Sequence, residues 1–147
     1  MLRSLLNSLA FLRDGRLVRT RRFIQWANDR DYERMAGAVT ADFTLLDTAG
    51  ARISGRDGLI DALRELHRQA PDLNMVAGEI FAQDEEVLVK GRLCSGNPDY
   101  CSDSLWRFRF AGEQLGEIQS FRTDNAVSLP RLTAHLRRPA TPPLRGR

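Results

Sequence analysis

The stretch "SLWRFRFAG", residues 104–112, decides the fold class. Side chains of an extended strand alternate between its two faces, so Trp106 and Phe108 share one face. Arg107 and Arg109 share the opposite face. One apolar face and one charged face are typical of a strand in an antiparallel sheet whose inner side is packed and whose outer side meets water.

Three more segments with an extended pattern surround this strand, and they cover residues 73–83, 86–94 and 116–124. The connections between neighbouring segments are short, which predicts a four-stranded antiparallel meander. A turn centred between Asn97 and Pro98 fixes how the second strand pairs with the third. The predicted pairs are Val89 with Trp106, Arg92 with Asp103, and Cys94 with Cys101.

Helical patterns lie on both sides of the meander. The clearest is "RDGLIDALRELHRQAP", residues 56–71, in which Leu59, Leu63, Leu66 and Ala70 form one apolar stripe. His67 lies beside that stripe, which favours an edge-packed or solvent-facing histidine over a ligand. Further helices are predicted over residues 17–28, 32–39 and 126–137. Helices segregated from an antiparallel sheet predict an α+β fold.

Both ends of the chain differ from its middle. The first 14 residues place five leucines on one side of an amphipathic helix, and "DGR" at 14–16 predicts a break after it. The last ten residues are rich in proline and arginine, which is typical of a disordered segment. We therefore expect an extension at 1–16, one domain at 17–137 and a disordered basic tail at 138–147.

Charge and composition exclude several classes of function. Residues 23–130 carry 11 basic and 18 acidic side chains, a net charge of −7, which disfavours nucleic acid as a partner. No apolar run reaches the roughly 20 residues that a transmembrane helix needs. His, Cys and acidic residues show no metal-site spacing, so we expect no metal and no cofactor. Two cysteines without a secretory signal predict reduced thiols and a cytoplasmic protein.

The segment "ADFTLLDTAG", residues 41–50, contains the main candidate for a catalytic group. Alternation places Asp47 on the same face as Phe43 and Leu45. Asp47 has two interpretations at this stage. It caps the turn that follows, as aspartate commonly does, or it serves as a general base whose removal from water disfavours the ionised form.

The order of these elements and several short motifs resemble the nuclear transport factor 2-like superfamily, which includes SnoaL-type cyclases and ketosteroid isomerases. The motifs are "ADFTLLDTAG", "SGRDGLIDAL", "PDLNM", "RFRFAG" and "GEIQSFR". The resemblance implies a cone-shaped, curved antiparallel sheet wrapped by N-terminal helices and one long helix, as in a cystatin-like roll. It also implies an apolar pocket in the cone and a homodimer formed through the sheet.

The resemblance places Asp47 where ketosteroid isomerases have their general base. The two oxyanion donors of those enzymes fall at Phe23 and Trp106, and neither side chain can replace them. The sequence therefore argues against a ketosteroid isomerase. We expect a small apolar or aromatic ligand to contact five residues of the cone: Phe23, Leu63, Trp106, Phe108 and Phe121.

Two classes of function remain open from the sequence. The favoured one is a SnoaL-like domain that binds a small molecule without catalysis. The alternative is a small cofactor-independent isomerase, dehydratase or cyclase that uses Asp47 as its base.

Overall fold

The computed structural model describes residues 2–122, and within that range it describes the side chains outside residues 6–13. The α+β fold is confirmed. The elements are α1 Leu2–Asp29, α2 Tyr32–Ala38, β1 Val39–Asp47, β2 Arg52–Ser54, α3 Arg56–Gln69, β3 Asn74–Gln83, β4 Glu86–Cys94, a one-turn 3-10 helix Pro98–Tyr100, β5 Ser102–Ala111 and β6 Gln114–Arg122. The predicted helix at 126–137 and tail at 138–147 lie outside the described residues.

The six strands form one sheet in the order β2-β1-β6-β5-β4-β3. Strands β3 to β6 make the predicted antiparallel meander. Strand β1 joins the meander by pairing in parallel with β6, a contact that no short turn in the sequence could indicate. None of the described helices is long and apolar enough to cross a membrane.

Bulges curve the sheet toward its inner face. The β3–β4 pairing shifts between Ala77 and Glu79, and the β5–β6 pairing shifts between Arg109 and Phe110. Gly91 lies opposite the first bulge, where a Cβ atom would clash with the Val76 carbonyl oxygen. A bulge bends its strand and increases the local twist, so these irregularities produce the hollow side of the sheet.

The predicted register between β4 and β5 is confirmed. Val89 pairs with Trp106, and Arg92 pairs with Asp103 across a 3.0 Å ion pair. The ladder ends at the next pair, Leu93 with Ser102, so Cys94 and Cys101 lie just beyond it. Both thiols are free, and Cys101 Sγ donates to the Ser95 carbonyl oxygen at 3.2 Å.

The inner face of the sheet carries the core. Trp106, Phe108, Val87 and Val89 are buried there, as the alternation predicted. Helix α3 packs on this face through its predicted stripe, of which Leu59, Leu63 and Leu66 are buried.

The predicted break at residues 14–16 is wrong. Helix α1 continues through Gly15 to Asp29. A glycine inside a helix costs about 1 kcal/mol relative to alanine, which the packing of the following turns offsets. Those turns contribute Thr20, Phe23 and Ile24 to the core.

Asn28 and Arg30, which follow the core turns of α1, tie that helix to the edge of the sheet. The Asn28 side chain donates to the Met75 carbonyl oxygen at 2.9 Å and accepts from the Met75 N–H at 2.8 Å. The Arg30 guanidinium donates to four backbone carbonyls, those of Ala27, Asn28, Pro71 and Leu73. We call the four bonds of Arg30 the Arg30 clamp, since they join the end of α1 to the segment between α3 and β3.

We expect Arg30→Ala to lower the free energy of unfolding by about 2 kcal/mol, because hydrogen bonds from a charged donor contribute more than neutral ones. Urea unfolding measures the change. Arg34→Ala is the matched control, since Arg34 is exposed and makes only a 3.5 Å pair with Asp31, which is worth less than about 1 kcal/mol. Equal losses in the two variants would show that the clamp does not stabilise the fold.

Candidate functional site

A cavity of about 90 Å³ lies between the helices and the inner face of the sheet. We call it the inner cavity. Its walls are largely apolar, with Leu45 from β1, Leu59 from α3 and Met75 from β3 among the side chains that line it. Such a cavity favours an uncharged occupant, because a charged group would lose its hydration there without full compensation.

Four of the five predicted contact residues line the inner cavity. They are Phe23, Leu63, Trp106 and Phe108. The Phe23 and Phe108 rings meet edge to face, with centroids 6.0 Å apart and an interplanar angle of 83°. This packing fixes one wall of the cavity, because an edge-to-face pair has a preferred geometry.

Phe121, the fifth predicted contact residue, does not line the inner cavity. Alternation along β6 turns Ile118 and Ser120 inward, where both line the inner cavity. Phe121 therefore faces outward, and it pairs with Leu105 on the outer side of β5. The β5–β6 ladder is regular from Ile118 to Arg122, so strand alternation excludes Phe121 from the face that carries Ile118 and Ser120.

Asp47 is buried, with 6% of its surface exposed, and it lies on the same face of β1 as Leu45. Its Oδ1 accepts from the Ala51 N–H at 2.7 Å, and its own N–H donates to the Ala51 carbonyl oxygen at 3.0 Å. Gly50 completes this turn with φ of 85°. Asp47 is not among the residues that line the inner cavity. The carboxylate thus performs the turn-capping role that was one of its two interpretations.

The polar residues of the inner cavity are Asn28, His67, Ser120 and Arg122. Asn28 uses both ends of its amide on Met75. His67 approaches the cavity from the last turn of α3, and its Nδ1 lies 2.6 Å from the Tyr32 hydroxyl oxygen. Sequence reasoning missed this role of His67, since its partner lies 35 positions away and on another helix.

The surroundings of His67 keep its ring neutral. Burial, and then the positive charge of Arg30, lower the pKa of His67 to about 4. Burial also raises the pKa of Tyr32, although Arg30 and Arg64 act in the opposite direction. The Arg64 guanidinium lies over the Tyr32 ring, 5.1 Å from its centroid. At neutral pH the site therefore contains a neutral imidazole and a protonated phenol.

We expect the free energy of unfolding to decrease as the pH falls from about 6.5 to about 4. In that window the unfolded chain binds a proton at residue 67 and the folded protein does not, so protons favour unfolding. Urea unfolding of the wild type and of His67→Gln at several pH values isolates this contribution. A difference between the two proteins that stays constant across the window would contradict the lowered pKa of His67.

Metal chemistry finds no support in the described part of the chain. Between residues 2 and 122, no group of three or more His, Cys, Asp or Glu side chains is arranged to hold a metal ion.

Solved structures show the same fold at low sequence identity. A candidate ketosteroid isomerase from Kribbella flavida is 19% identical, with a TM-score of 0.65 over 90% of this chain and 94% of that one. A candidate SnoaL-like polyketide cyclase from Jannaschia sp. CCS1 is 17% identical, with a TM-score of 0.66 over 76% of this chain and 88% of that one. A cystatin-fold protein from Novosphingobium aromaticivorans is 16% identical, with a TM-score of 0.66 over 71% and 95%.

No curated protein matches the sequence. The family model described as "SnoaL-like domain" matches residues 20–118, which is most of the described chain. These residues include the last turns of α1, helices α2 and α3, strands β1 to β5, the first half of β6 and most of the wall of the inner cavity. The chain belongs to the SnoaL-like domain family.

Proposed function

We propose that this SnoaL-like domain binds a small apolar or aromatic molecule in the inner cavity and does so without catalysis. The observation that carries the proposal is an apolar cavity of about 90 Å³ between the helices and the curved sheet. An engineered apolar cavity of about 150 Å³ binds benzene, whereas pockets for drug-sized ligands measure about 300–1,000 Å³. The expected occupant is therefore no larger than a single ring.

The position of Asp47 supports binding over the alternative of an isomerase, dehydratase or cyclase. A general base must come within hydrogen-bond distance of the proton that it removes. Asp47 Oδ1 is engaged by the Ala51 N–H, and the residue does not line the inner cavity. The proposal needs no cofactor, and it assigns the protein to the cytoplasm, where unpaired cysteines are the rule.

Filling the inner cavity tests the proposal. Ala27 lines the cavity, so Ala27→Leu should abolish the binding of benzene. Shifts of the Trp106 indole signals in NMR spectra measure that binding. Ala36→Leu is the matched control, because Ala36 is also half-buried on a helix against the core but does not line the cavity. The control should still bind benzene.

Asp47→Asn tests the turn-capping role of Asp47. The amide oxygen of asparagine can still accept from the Ala51 N–H, so the turn and benzene binding should persist. Benzene binding that survives in Ala27→Leu would place the ligand elsewhere and contradict the proposal.

The second part of the proposal is a homodimer formed through the outer face of the sheet. Phe81 and Val76 on β3 are 45% and 47% exposed, although both are large and apolar. At the Phe81 end of β3, Arg109 bonds Glu86 at 2.8 Å across the strands. An apolar patch bordered by paired charges is typical of a surface that contacts another protein.

Light scattering at micromolar concentration should give about twice the chain mass of 16.6 kDa. Phe81→Glu should return the protein to a monomer, because a charge would lose its hydration in an apolar interface. Val18→Glu is the matched control, since Val18 is 44% exposed and belongs to helix α1, not to the outer face of the sheet. A monomeric wild type, or equal dissociation in both variants, would exclude the sheet as the interface.

A further inference from the structure

The inner cavity needs a polar group that orients its ligand, because apolar walls alone select size and not direction. The Asn28 amide bonds the Met75 backbone through both its nitrogen and its oxygen, so these bonds hold the fold together and do not orient a ligand. His67 is different. Within residues 2–122, the one contact to its ring nitrogens is that of Nδ1 with Tyr32, and the residue lines the cavity.

The contact with Tyr32 determines which nitrogen of His67 carries the proton. A phenol is a good donor, and the unprotonated nitrogen of a neutral imidazole is a good acceptor. The O···N distance of 2.6 Å is at the short end expected for a hydroxyl donor. A Tyr32 hydroxyl that donates to Nδ1 leaves the ring hydrogen of the neutral imidazole on Nε2.

Burial and the charge of Arg30 keep His67 uncharged. Arg30 is fixed by its four carbonyl partners, which include those of Pro71 and Leu73. Its positive charge disfavours a second cation at His67, in the same direction as burial does. The ring is therefore a neutral N–H donor at the edge of an apolar cavity.

We propose that His67, positioned by Tyr32, is the hydrogen-bond donor with which the inner cavity recognises its ligand. The ligand is then a small uncharged molecule with a hydrogen-bond acceptor, such as a carbonyl or ether oxygen, on an apolar ring. This inference rests on the proposed binding function and adds the chemistry of the ligand. A neutral donor suits a neutral acceptor, since no ion has to be moved from water into the cavity.

Cyclopentanone and methylenecyclopentane form a matched pair of probes, because they have nearly the same shape and only the ketone has an acceptor oxygen. NMR titration gives both affinities for each variant, and the ratio of the two cancels changes that affect any ligand. Replacing His67 by Phe should shift this ratio by about three- to tenfold toward the alkene, which corresponds to one neutral hydrogen bond.

Tyr100→Phe is the matched control, since the Tyr100 hydroxyl bonds Gln69 two residues after His67 and Tyr100 does not line the inner cavity. Its ratio should equal that of the wild type. An unchanged ratio in His67→Phe, or the same shift in Tyr100→Phe, would overturn the role of His67.

The tautomer of His67 supplies a second test that needs no ligand and no His67 variant. Long-range ¹H–¹⁵N spectra should show the Nε2–H form in the wild type, and a mixture of both neutral forms in Tyr32→Phe, which keeps the ring beneath Arg64. A wild-type ring that carries its hydrogen on Nδ1 would overturn the inference, because the cavity would then have no donor at this position.

The outcomes separate the two proposals. If neither probe perturbs Trp106 in the wild type, the binding function fails, and the ligand inference fails with it. If both probes bind but their ratio is insensitive to His67→Phe, binding stands and only the hydrogen bond is wrong. Tighter binding of cyclopentanecarboxylate than of cyclopentanone would also overturn the inference, since it would show recognition of an anion at the Arg122 wall.

Discussion

The fold depends on the Arg30 clamp, which closes the end of the cone where helices and sheet meet. Arg30 has a left-handed backbone conformation, with φ of 60°, which is unfavourable for a residue with a side chain. Its guanidinium offsets that cost by bonding four carbonyls from both sides of the junction. Asn28 adds two bonds to the Met75 backbone. Together they hold α1 against the edge strand β3, so the inner cavity has a fixed wall at that end.

The same clamp determines the chemistry of the cavity. Arg30 directly follows α1, and the chain turns at once into α2, which brings Tyr32 against the last turn of α3 and hence against His67. Because the guanidinium is fixed close to the imidazole, its charge lowers the pKa of His67 in addition to the effect of burial. One arginine therefore joins three elements and also keeps the cavity's histidine neutral.

The local sequence pattern correctly predicted the features that neighbouring residues determine, namely the strand faces and the pairing of adjacent strands. The alternation at Trp106 and Phe108 identified the inner face, and the turn near Asn97 fixed the pairing of Val89 with Trp106, because neighbouring strands constrain each other directly. The continuity of α1 through Gly15 was not predicted, since tertiary packing overrode the local cost of glycine. The Tyr32–His67 contact was not predicted either, because side chains far apart in sequence meet only once the helices are packed.

Asp47 shows that predicting which face of the sheet a residue lies on does not establish that the residue belongs to a functional site. Its position on the inner face was predicted correctly, yet a strand end is also where a turn begins, and the Ala51 N–H donates to the carboxylate at 2.7 Å. For His67 the reverse holds, because the helix pattern predicted an edge-packed or solvent-facing residue and the structure places it in the wall of the inner cavity. A carboxylate that holds the backbone and a neutral imidazole that lines the apolar space are the two observations on which the proposed binding role rests.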